Sequence, residues 1–209
     1  MAAAANPRFS PWHPSGDPRI DRVRLLVVGE SHYEEPPQWL DDGRVLPSDY
    51  TVKIIEEWGL TPEKRHPFFA GIFECLTGDE WVNEPARLAD FWQNLLFYNY
   101  VQRLVKGGAR NAPSATDWAF SHPRFRPALE MLKPEAILIL GRRLWRNMDD
   151  EDAMLLESSD PLQTVVGYRL ADGRMIPALH IRHPSSAGFS GVKLSAEVRA
   201  FLASTRLPH

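Results

Sequence analysis

Two apolar runs, Val23 to Gly29 (VRLLVVG) and Ala136 to Gly141 (AILILG), decide the fold class of this 209-residue chain. Each run is rich in valine, isoleucine and leucine and ends at a glycine, which is typical of a strand buried on both faces of a sheet. Helical periodicity and further apolar runs alternate along the rest of the chain. This alternation predicts a three-layer α/β/α sandwich with a central, mainly parallel sheet of four strands.

The other segments fit the same scheme. Apolar spacing predicts helices over residues 51–58, 88–96, 126–132, 142–148 and 192–204. Residues 164–170 and 174–181 are predicted to be strands joined by the turn residues Ala171-Asp172-Gly173. We interpret residues 1–20, which are rich in proline, alanine and serine, as a loose N-terminal arm, and residues 21–209 as a single domain.

Composition narrows the class of protein. Hydrophobic residues make up 44% of the chain and charged residues 24%, as in a globular protein, so disorder and fibrous structure are not expected. The single cysteine, Cys75, excludes an internal disulfide, a thiolate-rich zinc site and a four-cysteine iron–sulfur cluster within one chain. No apolar run has the length of a membrane span, and the first residues lack the pattern of a secretion signal. We therefore expect a cytoplasmic monomer with no cofactor, no metal and no membrane partner.

The charge distribution is compatible with a nucleic-acid partner. The net charge is −3, but the stretch Asp149 to Asp160 holds six acids and no base. The rest of the chain therefore has 24 bases against 21 acids. Bases cluster in residues 103–110, in residues 142–146 and at Arg182. This pattern favours a locally basic face, although a mixed solvated surface explains the charges equally well.

Polar residues lie at the ends of the first and the last predicted strands. Gly29-Glu30-Ser31-His32-Tyr33 comes after the first strand, and residues 180–190 (HIRHPSSAGFS) include the end of the last strand and the loop after it. Ligands of parallel α/β folds gather at the carboxyl ends of the strands. A carboxylate, a histidine and flexible Gly/Ser backbone at such an edge suit acid–base or electrostatic catalysis.

In this order, the two peptides resemble the motifs of the uracil-DNA glycosylase superfamily. The first motif of that superfamily is G-Q-D-P-Y in the uracil-specific branch and G-E-A-P-G in the iron–sulfur branch. Gly29 and Glu30 match the second form, and Tyr33 stands where the first form has its tyrosine. The second motif, H-P-S, is matched by His183-Pro184-Ser185.

Three further segments extend the resemblance over roughly residues 23 to 204. Tyr98 to Val101 (YNYV) is similar to the strand whose asparagine reads the base edge. Pro67-Phe68 resembles the pair whose ring stacks on the flipped base. Residues 133–141 resemble the K-P-x-strand-Gly segment of the superfamily.

The resemblance implies a DNA glycosylase, an enzyme that hydrolyses the N-glycosidic bond of a flipped-out uracil or modified pyrimidine in duplex or single-stranded DNA and leaves an abasic site. Glu30 would stabilise the sugar cation or orient water, and His183 would hydrogen-bond the anionic base oxygen. Asn99, Phe68, Tyr33, Ser31 and His32 would bind the base, with Tyr33 as the wall that limits bulk at C5. We assign DNA contacts to Arg182, Ser185, Ser186, Phe189, Arg142 and Arg143, with Phe189 filling the gap in the duplex.

The motifs also depart from the superfamily. Ser31 and His32 replace the middle residues of the first motif, including the carboxylate of the uracil-specific form. The cysteines of the iron–sulfur branch are absent, and Phe189 occurs where the uracil-specific branch has a leucine wedge. The chain therefore resembles a divergent member without an iron–sulfur cluster. The base stays open between uracil and a larger pyrimidine, such as the hydroxymethylated or glucosylated cytosine of phage DNA. A substrate of the second kind would indicate a role in defence.

Other interpretations of the same residues remain open. Glu30 can cap a helix, Asn99 can be a turn residue, and Phe68 and Phe189 can be core residues. Gly29 to Tyr33 nearly matches the G-x-S-x-G nucleophile elbow, with Ser31 as nucleophile, but Tyr33 replaces its second glycine.

Two further alternatives concern metal and the absence of catalysis. His180 and His183, with His122 as a third ligand, suggest a metal site, but residues three apart on a strand point to opposite faces. A domain of this fold that binds DNA or a nucleotide without catalysis is the other alternative, and the missing carboxylate at Ser31 is its best support.

Overall fold

The computed structural model describes residues 5–33, 47–106, 111–148, 153–156 and 164–205. These residues form one six-stranded sheet with strands β1 (Leu25–Tyr33), β2 (Leu96–Val105), β3 (Ala136–Leu140), β4 (Ala153–Leu156), β5 (Val165–Arg169) and β6 (Met175–Ile181). Their order across the sheet is β2-β1-β3-β6-β5-β4. The first four strands in this order are mutually parallel, whereas β5 and β4 are antiparallel to their neighbours.

Six α-helices accompany the sheet within the described residues: α1 (Tyr50–Ile55), α2 (Pro67–Thr77), α3 (Pro85–Gln93), α4 (Ala115–Leu132), α5 (Arg142–Asn147) and α6 (Gly191–Ser204). A π-helical turn, Glu56–Leu60, follows α1 directly. Both α2 and α3 begin with a proline, whose fixed φ suits the first helical turn. No helix among the described residues is long and apolar enough to cross a membrane.

The predicted α/β class and mainly parallel sheet are confirmed, but the predicted number of four strands is wrong. β5 and β6 form the expected hairpin, so β5 necessarily joins the sheet as an antiparallel strand. β4 then pairs with the free side of β5. Its four residues, Ala-Met-Leu-Leu, lie within the acid-rich stretch and are too few to give a strand signal in the sequence.

Two predicted helices have other boundaries in the structure. The helix predicted over 126–132 begins eleven residues earlier, at Ala115, where Ser114 and Asp117 form a reciprocal capping box. Pro123 and Pro127 lie inside this helix and interrupt its sequence pattern. The helix predicted over 88–96 ends at Gln93, and the apolar residues from Leu96 onward belong to β2.

The core consists of two apolar clusters divided by the sheet. Leu25 and Val27 of β1 belong to the first cluster with apolar residues of α2, α3 and α6. Leu26 and Val28 belong to the second cluster with residues of α4 and α5. Because alternate residues of a strand point to opposite faces, β1 is buried on both sides. This burial fixes the carboxyl ends of the parallel strands as one rigid edge.

The N-terminal segment that the sequence predicts to be a loose arm is attached to the sheet at Phe9 and Trp12. Phe9 is fully buried, and its N–H donates to Gln102 Oε1 at 2.8 Å. The Trp12 backbone exchanges two hydrogen bonds with Phe97, and its indole N–H donates to the Trp92 carbonyl at 2.8 Å. β2 is an edge strand, so its outer backbone groups need partners. The N-terminal segment supplies them at Phe97.

Replacing Trp12 by alanine is therefore expected to lower the free energy of unfolding by about 3 kcal/mol, the usual cost of removing a buried tryptophan. Urea denaturation measures this loss. Trp12→Phe is the matched control, because it keeps a ring in the cluster and removes mainly the indole hydrogen bond, at about 1 kcal/mol. A loss below about 1 kcal/mol for Trp12→Ala would show that the segment is only loosely attached.

Candidate active site

The first motif lies within a strand and not in the loop after it. β1 pairs with β3 only as far as Val28, but it pairs with β2 up to Tyr33. The prediction that the strand ends at Gly29 is therefore wrong, because the continued pairing with β2 extends it. A β-bulge interrupts the register between Ser31 and His32. Bulges re-aim side chains near functional sites, and here the bulge precedes the side chain of His32.

Gly29 allows two predicted base-binding residues to approach the backbone of β1. A Cβ atom at this position would overlap Asn99 Oδ1 and would lie 3.3 Å from Phe68 Cζ. Asn99 is on β2, directly opposite Gly29 in the parallel register, and is 5% exposed. The absence of a side chain at Gly29 therefore brings the Asn99 amide and the Phe68 ring together.

Phe68 also links this group to the second motif. It is the second residue of α2, is half-buried, and packs edge-on against Phe97 at a centroid distance of 6.1 Å. Its ring lies 5.3 Å from that of His183, tilted by 34°. His183 follows the carboxyl end of β6, so the first and second motifs meet through this aromatic contact.

His183 is held as a neutral hydrogen-bond donor. The backbone N–H of Ser185 donates to its Nδ1 at 3.2 Å, which leaves the ring proton of the neutral form on Nε2. Burial lowers the pKa of His183 below its usual 6.5, while nearby Glu30 acts to raise it and Arg143 to lower it. The imidazole therefore stays uncharged at neutral pH and can donate from Nε2.

Glu30 forms a bidentate ion pair with Arg143. Arg143 Nε donates to Glu30 Oε2 at 2.7 Å, and Nη2 donates to Oε1. The Glu30 side chain is 6% exposed and that of Arg143 43%. The hydrogen bonds that Arg143 donates to Glu30 raise the pKa of Arg143, with a smaller contribution from half-buried Tyr33. The sequence assigned Arg143 to DNA, but the structure gives it the carboxylate of Glu30 as its partner, because the first turn of α5 lies beside the end of β1.

His32 is buried beside Asn99. Its Nε2 is 2.9 Å from Thr51 Oγ1, and both ring nitrogens lie 3.1 Å from Asn99 Nδ2. Tyr50 and Phe9 pack edge-to-face against the imidazole at 4.9 and 5.5 Å. Complete burial lowers the pKa of His32 to about 3, so the ring is neutral. Ser31 next to it is half-buried, and its Oγ has no hydrogen-bond partner among the described residues.

The remaining predicted DNA-binding residues differ in exposure. Arg142, Arg182 and Ser185 are exposed, and Arg182 donates to the Ala187 carbonyl at 2.9 Å. Ser186 is half-buried, and its N–H donates to the His183 carbonyl at 2.9 Å.

Phe189, which the sequence predicts to fill the gap in the duplex, packs against α2 in the free protein. Its half-buried ring packs against the first apolar cluster and covers Gly71 of α2, where an added Cβ would lie 2.9 Å from the ring. This is the core interpretation of Phe189 that the sequence left open.

The geometry also bears on the hydrolase and metal interpretations. Ser31 lies inside β1 and pairs with Val101 of β2, whereas a nucleophile elbow needs a sharp turn between a strand and a helix. His180 stacks on Trp145 at 5.1 Å, and His122 contacts the Tyr100 hydroxyl at 2.9 Å, so neither joins His183. The described part of the chain contains no group of three or more His, Cys, Asp or Glu side chains arranged to hold a metal ion.

The structure thus connects Asn99, Phe68, His183 and Glu30 at one end of the sheet. Thr51 and the Glu30–Arg143 pair were not identified from the sequence. An arginine just after the β3 strand was a usable signal for that pair, whereas nothing in the local pattern marks Thr51. No protein-family model matches the chain, and no curated protein is significantly similar to it.

Proposed function

We propose that this protein is a DNA glycosylase that hydrolyses the N-glycosidic bond of a flipped-out pyrimidine, on a three-layer domain of the uracil-DNA glycosylase type. One observation carries the proposal. The Phe68 ring and the Asn99 amide meet at the side-chain-free backbone of Gly29, and the ring of neutral His183 lies 5.3 Å from that of Phe68. A stacking surface, an edge-reading amide and a hydrogen-bond donor are the three groups that recognition and release of a base require.

His183 supplies the stabilisation of the leaving group. When the glycosidic bond breaks, its electron pair stays with the base, and negative charge develops on the base oxygen. A neutral Nε2–H stabilises this charge by a hydrogen bond, without a proton transfer. The Ser185 N–H fixes the tautomer that makes this possible.

Glu30 supplies the negative charge on the sugar side. Bond cleavage leaves an oxocarbenium-like sugar, to which water then adds; the proton that this water loses neutralises the released base anion. The Glu30 carboxylate stabilises this cation or orients the water, and Arg143 holds the carboxylate in place through both oxygens. Arg143 is therefore a positioning residue in this scheme.

Phe68 and Asn99 bind the extruded base. Extrusion of a base from the duplex costs a few kcal/mol, and stacking on an aromatic side chain recovers about 1–3 kcal/mol of it. The Asn99 amide offers both a donor and an acceptor to the pyrimidine edge. Tyr33, at the end of β1, remains the proposed wall beside C5.

We expect Arg142 and Arg182 to contact phosphates, because both are exposed near the motif residues. Each alanine variant is predicted to weaken DNA binding and to reduce the slope of log K against log salt by about 1. Fluorescence anisotropy at several salt concentrations measures this slope. Arg174→Ala is the matched control, because Arg174 pairs with Asp172 in the turn before β6, at the opposite end of that strand. Slopes equal to the wild-type value for both variants would exclude phosphate contacts by these two arginines.

A panel of oligonucleotides identifies the base and tests the proposal. Duplex and single-stranded DNA would carry uracil, hypoxanthine, 5-hydroxymethylpyrimidines or glucosylated cytosine, and products would be scored as alkali-sensitive abasic sites. Release of uracil alone indicates repair of deaminated DNA. Preference for the larger pyrimidines indicates defence against modified phage DNA. Binding to DNA without release of any base would reject the enzyme in favour of a binding module.

A further inference from the structure

We propose that His32 determines which pyrimidines the site accepts, by holding the side-chain amide of Asn99 in one orientation. This inference rests on the proposed function, since it concerns the edge of the base that Asn99 would read. His32 does not itself reach the base in this scheme. It acts through Asn99 and is therefore a positioning residue that sets specificity.

The ring of His32 is fixed from several sides. Its Nε2 contacts Thr51 Oγ1 at 2.9 Å, and Phe9 and Tyr50 pack edge-to-face on the imidazole. The backbone of His32 pairs with Leu104 of β2 just after the bulge. His32 and Thr51 are 5% and 1% exposed, respectively. A ring held by a hydroxyl, two aromatic side chains and the sheet presents a constant surface to Asn99.

The ring of His32 favours the Nδ2 end of the Asn99 amide over the Oδ1 end. Asn99 Nδ2 is equally close, at 3.1 Å, to both ring nitrogens, so it faces the ring between them. A neutral imidazole is electron-rich and attracts an amide N–H, whereas it repels a carbonyl oxygen in the same place. Nδ2 therefore stays on His32, and Oδ1 is directed to Gly29, on the side where Phe68 lies.

The direction of this amide separates two classes of pyrimidine. A 4-oxo pyrimidine such as uracil presents an acceptor at position 4 and an N–H donor at position 3. A 4-amino pyrimidine such as cytosine presents a donor at position 4 and an acceptor at position 3. An amide free to turn over can satisfy both patterns, whereas a fixed amide satisfies one. The mismatched class would leave buried polar groups unpaired, which predicts discrimination of about 10- to 100-fold.

The experiment compares single-turnover release of 5-hydroxymethyluracil and 5-hydroxymethylcytosine, which share their C5 substituent. His32→Leu removes both ring nitrogens, and Thr51→Val removes the hydroxyl that holds the ring while it keeps its shape. In both variants, the ratio of the rate for the preferred base to the rate for the disfavoured base is expected to fall by about 10-fold or more. The main cause is faster release of the base that the wild type disfavours. Thr51→Ser keeps the hydroxyl and is expected to keep the wild-type ratio. An unchanged ratio in folded His32→Leu overturns the proposal. If His32→Leu does not fold, an unchanged ratio in Thr51→Val overturns it.

Nuclear magnetic resonance of the free protein separates this inference from the proposed function. The side-chain NH₂ protons of Asn99 are expected to exchange slowly with solvent in the wild type and at least about 10-fold faster in Thr51→Val, because the ring that holds them is released. The exposed side chain of Asn147 serves as the internal reference. If the wild type releases no base but this difference is observed, the proposed function fails and the fixed amide stands. Equal exchange of the Asn99 protons in both proteins overturns the fixed amide itself.

Discussion

Replacing His183 by alanine is expected to slow single-turnover base release by about 100-fold or more, the usual effect of losing a preorganised donor to a developing anion. The neutral ring, with Nδ1 held by the Ser185 N–H, donates from Nε2 without any proton transfer. Alanine removes this donor. His183 is only half-buried and follows a strand, so the variant should fold. Rates are measured with enzyme in excess over a labelled oligonucleotide.

His13→Ala is the control for this variant. His13 accepts a hydrogen bond from Arg24 just before β1, at the amino end of the strand, and is remote from the motifs in the fold. It should release the base at the wild-type rate. If His183→Ala also keeps wild-type single-turnover kinetics, His183 does not stabilise the leaving base.

Glu30→Gln is expected to slow the same step by about 100-fold, because the amide keeps the size of the side chain but loses the charge that stabilises the sugar cation. The glutamine amide cannot accept both hydrogen bonds from Arg143 as a carboxylate does, so the geometry of the pair changes as well. Thermal unfolding establishes that the variant is folded.

A matched control for Glu30 is found at the other end of the sheet. Glu135 lies just before β3 and also accepts hydrogen bonds from an arginine, Arg19, through both oxygens. Glu135→Gln should therefore perturb an ion pair of the same kind without slowing base release. A similar loss of rate in both variants would indicate a general effect on the fold, and wild-type release by Glu30→Gln would remove Glu30 from catalysis.

The sequence predicts the part of the fold that local pattern determines. The first four residues of β1, Leu25 to Val28, and the strand β3 are apolar runs of leucine, valine and isoleucine, so their burial is evident without a structure. The hairpin of β5 and β6 follows from its turn residues. The N-terminal segment shows the limit, because the burial of Phe9 and Trp12 depends on contacts with distant residues, such as Gln102 and Phe97 of β2. Such contacts leave no periodic signal.

The candidate site, like the fold, could be predicted from the sequence only in part. The motif residues could be selected because carboxyl ends of parallel strands meet, and the contacts around Gly29 agree with that selection. The arginines just after β3 were a signal for a partner of Glu30, but the choice of Arg143 depends on the angle at which α5 leaves β3. Likewise, the contact between His32 and Thr51 joins a bulge in β1 to a helix that begins only at Tyr50. Neither position is determined by neighbouring residues in the sequence.

The central claim is that this site breaks a glycosidic bond, and one assay tests it most directly. Wild-type protein in excess is mixed with oligonucleotides that carry each base of the panel, and the freed base is identified by mass while the strand is tested for cleavage by alkali. We predict a free pyrimidine and an alkali-sensitive strand in equal amounts for at least one base, both lost in His183→Ala. DNA that is bound but keeps every glycosidic bond intact would contradict the account.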